Sequence, residues 1–317
     1  MRFPALNRSN LCTLSHYTRR HYSEQISNVM IHDLRAPTSG KVRVLSLNRP
    51  AKRNAISRQL LKELRQAINQ IHTEYDDYEK KLLENKRNIK NLNQPSTRVL
   101  ILTSSVETCF CAGADLTERE SFTAEETASF LAELRGTFSS LSSLPIPSIS
   151  AISSVALGGG LELALCSHLR VVTTTAILGF PETRLGIIPG AGGTYRLPAL
   201  IGHSRARDLI LTGRKISGQE AHFLGLADRL VEILPREDES NTDLRKRALE
   251  EVQETSINLA FEICEGGPLA IRSALKAINS GNPDFENQMY EKVVCSDDRN
   301  EALVAYKEKR KPIFSGC

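Results

Sequence analysis

The chain has 317 residues, of which 40% are hydrophobic and 25% are charged, a composition that is ordinary for a globular protein. Its formal net charge of +4 is too small to indicate nucleic-acid binding by itself, and no uncharged apolar run reaches the roughly 18 residues that predict a membrane span. The seven cysteines lack paired CxxC spacing, so we expect reduced thiols packed as small apolar groups and no metal site.

The first 23 residues are basic and rich in hydroxyl groups. Arginines stand at positions 2, 8, 19 and 20, and the first acidic residue is Glu24. This composition is typical of a mitochondrial presequence, and the end of the stretch resembles the processing site of matrix proteins. We therefore expect residues 1–22 to be a presequence and the mature protein to lie in the mitochondrial matrix. A basic tail on a cytosolic protein is the alternative.

Strands and helices follow in an ordered succession. Alternating or continuous apolar runs predict strands at residues 42–47, 99–102, 147–157, 171–172 and 177–180. Helical spacing predicts helices at residues 57–71, 125–144, 204–211, 218–224, 243–265, 268–279 and 284–294. Strand-then-helix units come first and helices last, which favours an α/β core at residues 30–228 and a helical C-terminal region at residues 229–317.

One stretch interrupts this succession. Residues 74–94 are dense in charges of both signs and end in a run rich in asparagine. Such a stretch offers little apolar surface to bury. We expect an exposed helical extension or a mobile insertion there, and not a domain.

Three glycine-containing segments stand out, at residues 111–116, 156–165 and 179–194. Glycines where a strand meets a helix let a ligand approach free backbone N–H groups at the positive end of the helix dipole. A phosphate fits such a site, and so does a thioester oxygen that gains negative charge. The phosphate interpretations are weak, because the segments lack the Lys and Ser/Thr of a P-loop and the third glycine of the dinucleotide fingerprint.

Two glutamates lie within these segments. Glu162 is flanked by leucines in an apolar helix, and Glu182 follows a proline in an apolar turn. A carboxyl group in an apolar pocket has a raised pKa and can hold a proton near neutral pH while a partner stays ionised as a base. Each also has a structural interpretation, as a carboxylate bonded to helix amides for Glu162 and as an exposed turn residue for Glu182.

In order and spacing, these segments resemble the crotonase (enoyl-CoA hydratase) superfamily. The resemblance extends from Leu47 to Phe314, apart from the charged stretch, and depends on residues 110–116, 158–162, 181–182 and 188–194. Within the superfamily, residues 157–165 and 307–312 look most like the AU-rich-RNA-binding methylglutaconyl-CoA hydratases. The resemblance implies an α/β spiral of ββα units with a C-terminal helical trimerisation region, assembled as a homotrimer or hexamer.

The resemblance also implies a role for each matching residue. The backbone N–H groups of Ala114 and Gly159 would form an oxyanion hole for the thioester enolate. Glu162 would orient and deprotonate the attacking water, and Glu182 would deliver a proton to the α-carbon. Coenzyme A would be part of the substrate and not a separate cofactor. The backbone of the segment that contains Ala112, Gly113, Asp115 and Leu116 would bracket its adenine. Tyr306 and Lys309 would contact the coenzyme A of their own or a neighbouring subunit.

The reaction implied is syn addition of water to a 2-enoyl-CoA, either 3-methylglutaconyl-CoA or a short-chain enoyl-CoA. Relatives that only shift the double bond often lack one of the two glutamates, so the presence of both favours a hydratase over an isomerase. His168 and Tyr195 depart from the usual residues of the family, and we interpret His168 as a packing residue and not a catalytic one.

RNA binding is a second function to weigh. Arg58, Lys62 and Arg65 recur along one helix at a spacing that could neutralise phosphates. Glu63 dilutes that charge, and a solvated helix face accounts for the pattern without a ligand. We therefore favour a solvated face over an RNA-binding site.

Overall fold

The structure is a computed structural model that describes residues 27–84 and 95–316, so the predicted presequence lies outside the described residues. The strands of these two ranges are β1 (Val29–Arg35), β2 (Lys41–Leu47), β3 (Thr97–Ser104), β4 (Cys109–Cys111), β5 (Ser148–Ile152), β6 (Val155–Leu157), β7 (Leu169–Thr173), β8 (Ile177–Gly179), β9 (Lys215–Ser217) and β10 (Arg229–Val231). The helices are α1 (Arg58–Glu84), α2 (Leu116–Arg119), α3 (Ala124–Ser142), α4 (Gly159–Ala164), α5 (Gly193–Ile201), α6 (His203–Thr212), α7 (Gly218–Phe223), α8 (Asn241–Cys264), α9 (Pro268–Ser280), α10 (Pro283–Val294) and α11 (Asp297–Glu308).

The larger of the two sheets has six strands in the order β1-β2-β3-β5-β7-β10. β1 pairs with β2 in the antiparallel sense, and the other pairs are parallel. A parallel sheet is covered on both faces, which is why every residue of β3 is buried.

The smaller sheet has four strands in the order β4-β6-β8-β9. From β3 to β8 the chain alternates between the sheets, and helices follow each pair of strands. This alternation produces the predicted spiral of ββα units. The single strand predicted at residues 147–157 is wrong in one respect, because it divides into β5 in the larger sheet and β6 in the smaller one.

Apolar side chains lie on both faces of the larger sheet. Along β3, Leu100 and Leu102 join the main core, which also contains the buried faces of α1 and α3. Val99 and Ile101 point to the other face, where they join a second cluster with residues of α8. The boundary predicted between residues 228 and 229 therefore falls inside the fold, since β10 completes the sheet and α8 covers it.

The charged stretch that begins at residue 74 is not simply an exposed extension. α1 continues through it to Glu84, and Tyr75 and Tyr78 are only 5% and 4% exposed. The Tyr75 hydroxyl donates a hydrogen bond of 2.7 Å to the carbonyl oxygen of Thr97, and the Arg272 guanidinium of α9 stacks on both tyrosine rings. The expectation that this stretch has little to bury is wrong for its first turns, because tyrosines at helical spacing continue the apolar stripe of α1. Residues 85–94 lie outside the described residues.

Two further properties of the described ranges bear on function. Each helix there is too short or too polar to cross a lipid bilayer. Cys109, Cys111, Cys166 and Cys264 are buried free thiols, and burial raises the pKa of each.

Candidate active site

The three glycine-containing segments meet around one cavity of about 540 Å³. Its walls come from the loop before α2, from the faces of α2 and α3, from the start of α4, and from the segment that links β8 to α5. Both glutamates singled out from the sequence line it. The fold thus brings together residues that are up to 79 positions apart in the sequence, from Ala112 to Ala191.

Two backbone segments approach each other closely at this cavity. A Cβ atom on Gly113 would lie 2.9 Å from the carbonyl oxygen of Leu157, and one on Gly159 would lie 3.7 Å from the amide nitrogen of Ala114. Gly113 also has a φ of +100°, which favours glycine. The predicted oxyanion-hole residues, Ala114 and Gly159, are therefore neighbours in space.

The orientation of the Ala114 amide follows from its neighbours. The Ile56 amide donates to the Gly113 carbonyl oxygen at 2.7 Å, and the Asp115 amide donates to the Ile56 carbonyl oxygen at 3.2 Å. Since successive amides of an extended segment point in opposite directions, the N–H of Ala114 points away from Ile56. Within the described part of the chain, neither this N–H nor that of Gly159, the first residue of α4, has a hydrogen-bond acceptor. Two free donors at this place can stabilise an oxyanion.

Glu162 is buried, with 3% of its surface exposed. Its Oε1 atom accepts hydrogen bonds of 2.8 Å from the backbone N–H groups of Ala191 and Gly193. Burial raises the pKa of Glu162, while the two amide donors oppose that rise. Backbone N–H groups of the third glycine segment therefore bind the carboxylate of Glu162. Glu162 does not bond the amides of its own helix, although the structural interpretation supposed that it does.

Glu182 begins a short 3-10 helix, Glu182–Leu185, and is 8% exposed, so it is not an exposed turn residue. Among the described residues, no group bonds its buried Oε2 atom. Burial raises the pKa of Glu182 to about 7, and the charge of Glu162 acts in the same direction. A Cβ atom on Gly158 would lie 2.7 Å from Oε1 of Glu182, and Gly158 has a φ of +52°, so glycine at this position makes room for the carboxyl group.

The two glutamates differ in a way that suits acid–base chemistry. The carboxylate of Glu162 is held by two donors that favour its ionised form. The carboxyl group of Glu182 has less hydrogen bonding to offset its burial, so it keeps a proton to about neutral pH. One can act as a base while the other acts as an acid at the same cavity.

The other predicted binding residues fall into three groups. Ala112, Gly113 and Leu116 line the cavity. Asp115 instead pairs with Arg49 at 2.6 Å and caps α2 by accepting from the amide of Glu118, so its side chain has a structural role here. Tyr306, 86% exposed, and Lys309 lie at the end of α11, and neither lines the cavity of its own chain.

Several polar groups at the cavity were not predicted from the sequence. The amides of Ala191 and Gly193 are one example, because a glycine-rich loop does not reveal which acceptor its N–H groups face. Arg119 is another: it lies three residues after Leu116, at helical spacing on α2, and that spacing could have placed it on the cavity side.

His168 lies elsewhere in the fold. Its Nδ1 atom accepts a hydrogen bond from the Ser148 amide at 3.1 Å, and burial lowers its pKa to about 4. It does not line the cavity with the two glutamates. These contacts agree with the interpretation of His168 as a packing residue.

The basic face of α1 is partly engaged within the chain. The Arg58 guanidinium pairs with Glu126 at 3.3 Å and stacks 4.2 Å from the ring centre of Phe122. Lys62 and Arg65 are exposed. This arrangement fits a solvated helix face and adds no support for RNA binding.

Comparisons with known proteins agree with the geometry. A family model described as enoyl-CoA hydratase/isomerase matches residues 82–316. The methylglutaconyl-CoA hydratase 1, mitochondrial, of Pyricularia oryzae is 55% identical, with 94% of this chain and 90% of that protein covered. The mitochondrial methylglutaconyl-CoA hydratase of Mus musculus is 36% identical, with 94% and 88% covered. The crystal structure of an enoyl-CoA hydratase from Bacillus anthracis superimposes with a TM-score of 0.76 at 37% identity and covers 92% of this chain and 100% of that one.

Proposed function

This chain belongs to the enoyl-CoA hydratase/isomerase family, and we propose that it is a hydratase that adds water to 3-methylglutaconyl-CoA through Glu162 and Glu182. The observation that carries the proposal is the pair of buried carboxyl groups, one held by two amides and one with a pKa of about 7. They lie beside two backbone N–H groups that have no acceptor among the described residues. The name of the relative that is 55% identical supports the choice of acyl group.

In the proposed mechanism, the thioester oxygen of the substrate accepts hydrogen bonds from the amides of Ala114 and Gly159. Glu162 takes a proton from a water molecule, whose oxygen forms a bond to the β-carbon. The electrons of the double bond move toward the thioester, and the enolate oxygen gains negative charge at the two amides. Glu182 then gives its proton to the α-carbon, which yields the 3-hydroxyacyl-CoA. Coenzyme A is part of the substrate, and the proposal needs no metal or separate cofactor.

The presence of both carboxyl groups favours hydration over a double-bond shift. An isomerase only moves one proton between two carbons, and it needs neither a base for water nor a second acid. A relative from Zymoseptoria tritici that is 54% identical bears the name enoyl-CoA isomerase/hydratase, so the product has to be identified directly.

A trimer, or a hexamer built from two trimers, is the assembly we propose. A second, largely apolar cavity of about 730 Å³ lies between α5, α8 and α9, and the exposed side chains of Leu200 and Ile278 line it. An apolar surface of this kind is typical of an interface. In such an assembly Tyr306 and Lys309 would reach coenzyme A bound to a neighbouring subunit. Light scattering coupled to gel filtration tests the assembly.

The mitochondrial matrix is the proposed location. Relatives from Pyricularia oryzae, Mus musculus and Arabidopsis thaliana carry the word mitochondrial in their names. The basic, acid-free start of this chain supports the same compartment.

A hydration assay over four substrates tests the proposed function. The substrates are crotonyl-, tiglyl-, 3-methylcrotonyl- and 3-methylglutaconyl-CoA, with the product identified by mass. We expect a gain of one water molecule and the highest kcat/KM with 3-methylglutaconyl-CoA. A product of unchanged mass with a shifted double bond would mean that the chain is an isomerase.

A further inference from the structure

The glycine loop, residues 190–193, is held by arginine side chains at two consecutive carbonyl groups. Arg135 of α3 donates through Nε to the Gly190 carbonyl oxygen at 2.7 Å. Arg196 of α5 donates through Nη1 to the Ala191 carbonyl oxygen at 3.0 Å. The two guanidinium groups therefore fix the segment whose amides bind the proposed base.

One peptide group connects Arg135 to Glu162. The carbonyl oxygen of Gly190 and the amide of Ala191 belong to the same planar unit, and they point in opposite directions because the peptide is trans. The oxygen accepts from the Arg135 guanidinium, and the amide donates to Oε1 of Glu162 at 2.8 Å. A cation at the oxygen polarises the peptide group, which makes its N–H a stronger donor to the carboxylate.

Arg196 acts on the same carboxylate in two ways. Its hydrogen bond fixes Ala191, and its guanidinium lies so close to Gly192 that a Cβ atom there would collide with it. Burial raises the pKa of Glu162, and the nearby charge of Arg196 opposes that rise. Arg196 is half-buried, so solvent screens its charge less than it would screen a charge at the surface.

The two glutamates need opposite protonation states at the same pH. Burial and the charge of Glu162 raise the pKa of Glu182 to about 7. The charge of Arg119 on α2, like that of Arg196, favours the ionised form of Glu162. Groups that lower the pKa of Glu162 alone widen the pH range in which one glutamate is a base and the other an acid.

We propose that Arg135 and Arg196 are positioning residues, which brace the glycine loop from α3 and α5 so that its amides keep Glu162 in place and ionised. The proposal rests on the proposed function and deepens it, because it names groups that act on the reaction only through the base. Neither arginine has to touch the substrate for this role, although Arg135 lines the cavity.

The titration of Glu162 tests the proposal without turnover. The infrared band of protonated carboxyl groups is recorded against pH in a Glu182→Gln background, so that the coupled carboxyl group does not titrate too. The part of the band that is missing from the double variant Glu162→Gln/Glu182→Gln belongs to Glu162. The variants Arg135→Gln, Arg196→Gln, Arg135→Lys and Arg196→Lys are first checked by thermal melting. Each Gln variant should raise the pKa of Glu162, because a cation is lost, and each Lys variant should raise it less.

Arg214→Gln is the matched control. Arg214 is half-buried, as Arg196 is, and its guanidinium pairs with Asp208 at 2.7 Å and with Glu220 at 2.8 Å. It does not line the cavity with the two glutamates. Its loss removes the same formal charge from the chain without touching the glycine loop, so the titration of Glu162 should not change.

Kinetics in the otherwise unaltered protein provide a second measurement. Each Gln variant should lower kcat about tenfold, as the loss of a hydrogen bond that supports a charged group does. KM and the Kd of butyryl-CoA should change by less than about twofold, because the substrate loses no contact. The fall in kcat/KM at low pH should begin at a higher pH, whereas the fall above about pH 7, which reports Glu182, should stay where it is. In a Glu162→Gln background, loss of either arginine should cost little more.

A titration of Glu162 that either Gln variant leaves unchanged would overturn the proposal, and so would a matching shift in Arg214→Gln. Weaker butyryl-CoA binding, or a loss of kcat of the same size in the Glu162→Gln background, would show that the arginines contact the substrate and would also overturn it. If the wild-type protein hydrates no enoyl-CoA, the proposed function fails, but the titration still decides whether the two arginines act on Glu162.

Discussion

The backbone N–H of Gly193 donates a hydrogen bond of 2.8 Å to Oε1 of Glu162, although 31 residues separate the two along the chain. The contact leaves no space for a side chain. A Cβ atom on Gly193 would lie 2.8 Å from the Phe180 ring, 3.0 Å from Pro189 and 3.1 Å from the same Oε1 atom. The position of one proposed catalytic carboxylate therefore depends on a glycine in another segment.

Gly193→Ala should displace Glu162 and lower kcat by about 100-fold, because a shift of about 1 Å in a catalytic group can cost that much. The measurement is kcat with 3-methylglutaconyl-CoA or crotonyl-CoA. Gly136→Ala, in the middle of α3, is the control, since a Cβ atom there meets nothing within 4 Å. That change should leave kcat near the wild-type value and stabilise the fold slightly. Equal activities of the two variants would contradict the role assigned to Gly193.

Glu162→Gln and Glu182→Gln should each lower kcat by about 10²- to 10⁴-fold, because glutamine keeps the shape of the side chain but cannot exchange the proton. Butyryl-CoA binding should stay largely unchanged. The double variant should be little worse than the worse single one, since both groups act on one reaction. Glu133→Gln, an exposed acid on α3, is the control. Near-wild-type turnover in either single variant, together with a lower Tm, would remove that residue from the mechanism.

The raised pKa of Glu182 predicts how activity depends on pH. Glu182 must hold the proton that it gives to the α-carbon, so kcat/KM for hydration should fall about tenfold per pH unit above its pKa of about 7. At low pH, protonation of Glu162 should limit the rate, because only its ionised form can accept a proton from water. A profile that stays flat from pH 6 to pH 9 would argue against Glu182 as the acid.

Stability gives an independent check of the same pKa. A carboxyl group whose pKa is raised on folding binds protons more tightly in the folded state, so its contribution is fully present below its ordinary value of 4.5 and is lost as the pH rises to about 7. As the pH rises between these two values, the Tm of the wild-type protein should therefore fall relative to that of Glu182→Gln. Above the higher value, the difference between the two Tm values should stay constant. Thermal melts of both proteins from pH 4 to pH 9 measure this.

The buried tyrosines of α1 predict that its charged extension matters for stability. Tyr75→Ala and Tyr78→Ala should each lower the free energy of unfolding by about 3 kcal/mol, as other losses of a buried aromatic ring do. Asp76→Ala, on the exposed face between them, should change it by less than about 0.5 kcal/mol. Urea denaturation measures both. If all three variants unfold alike, the extension does not pack against the core in solution.

The N-terminal stretch predicts a processing event. We expect the protein isolated from mitochondria to begin near Ser23, because the residues before it have the composition of a presequence. N-terminal sequencing of the native protein measures this directly. A protein that retains Met1 would refute the prediction.

Much of the architecture followed from the sequence. Periodic apolar residues predicted α8, α9 and α10 to within two residues at either end. The order and spacing of the glycine segments and glutamates indicated the family, which the comparisons confirmed. Several elements were missed, β1 and α11 among them. β1 is largely exposed and α11 has a weak apolar stripe, so neither shows the periodicity on which such predictions depend.

The tertiary structure decided which groups meet. The sequence indicated Glu162 and Glu182 as candidates. It could not show that Glu162 accepts from the amides of Ala191 and Gly193, or that Oε2 of Glu182 has no hydrogen-bond partner among the described residues. It also could not show that the carboxylate of Asp115 pairs with Arg49, 66 positions away. Local periodicity records only whether a side chain is buried. The pKa of a carboxyl group and the partner of an arginine depend on segments brought together by packing, and no short stretch of sequence contains that information.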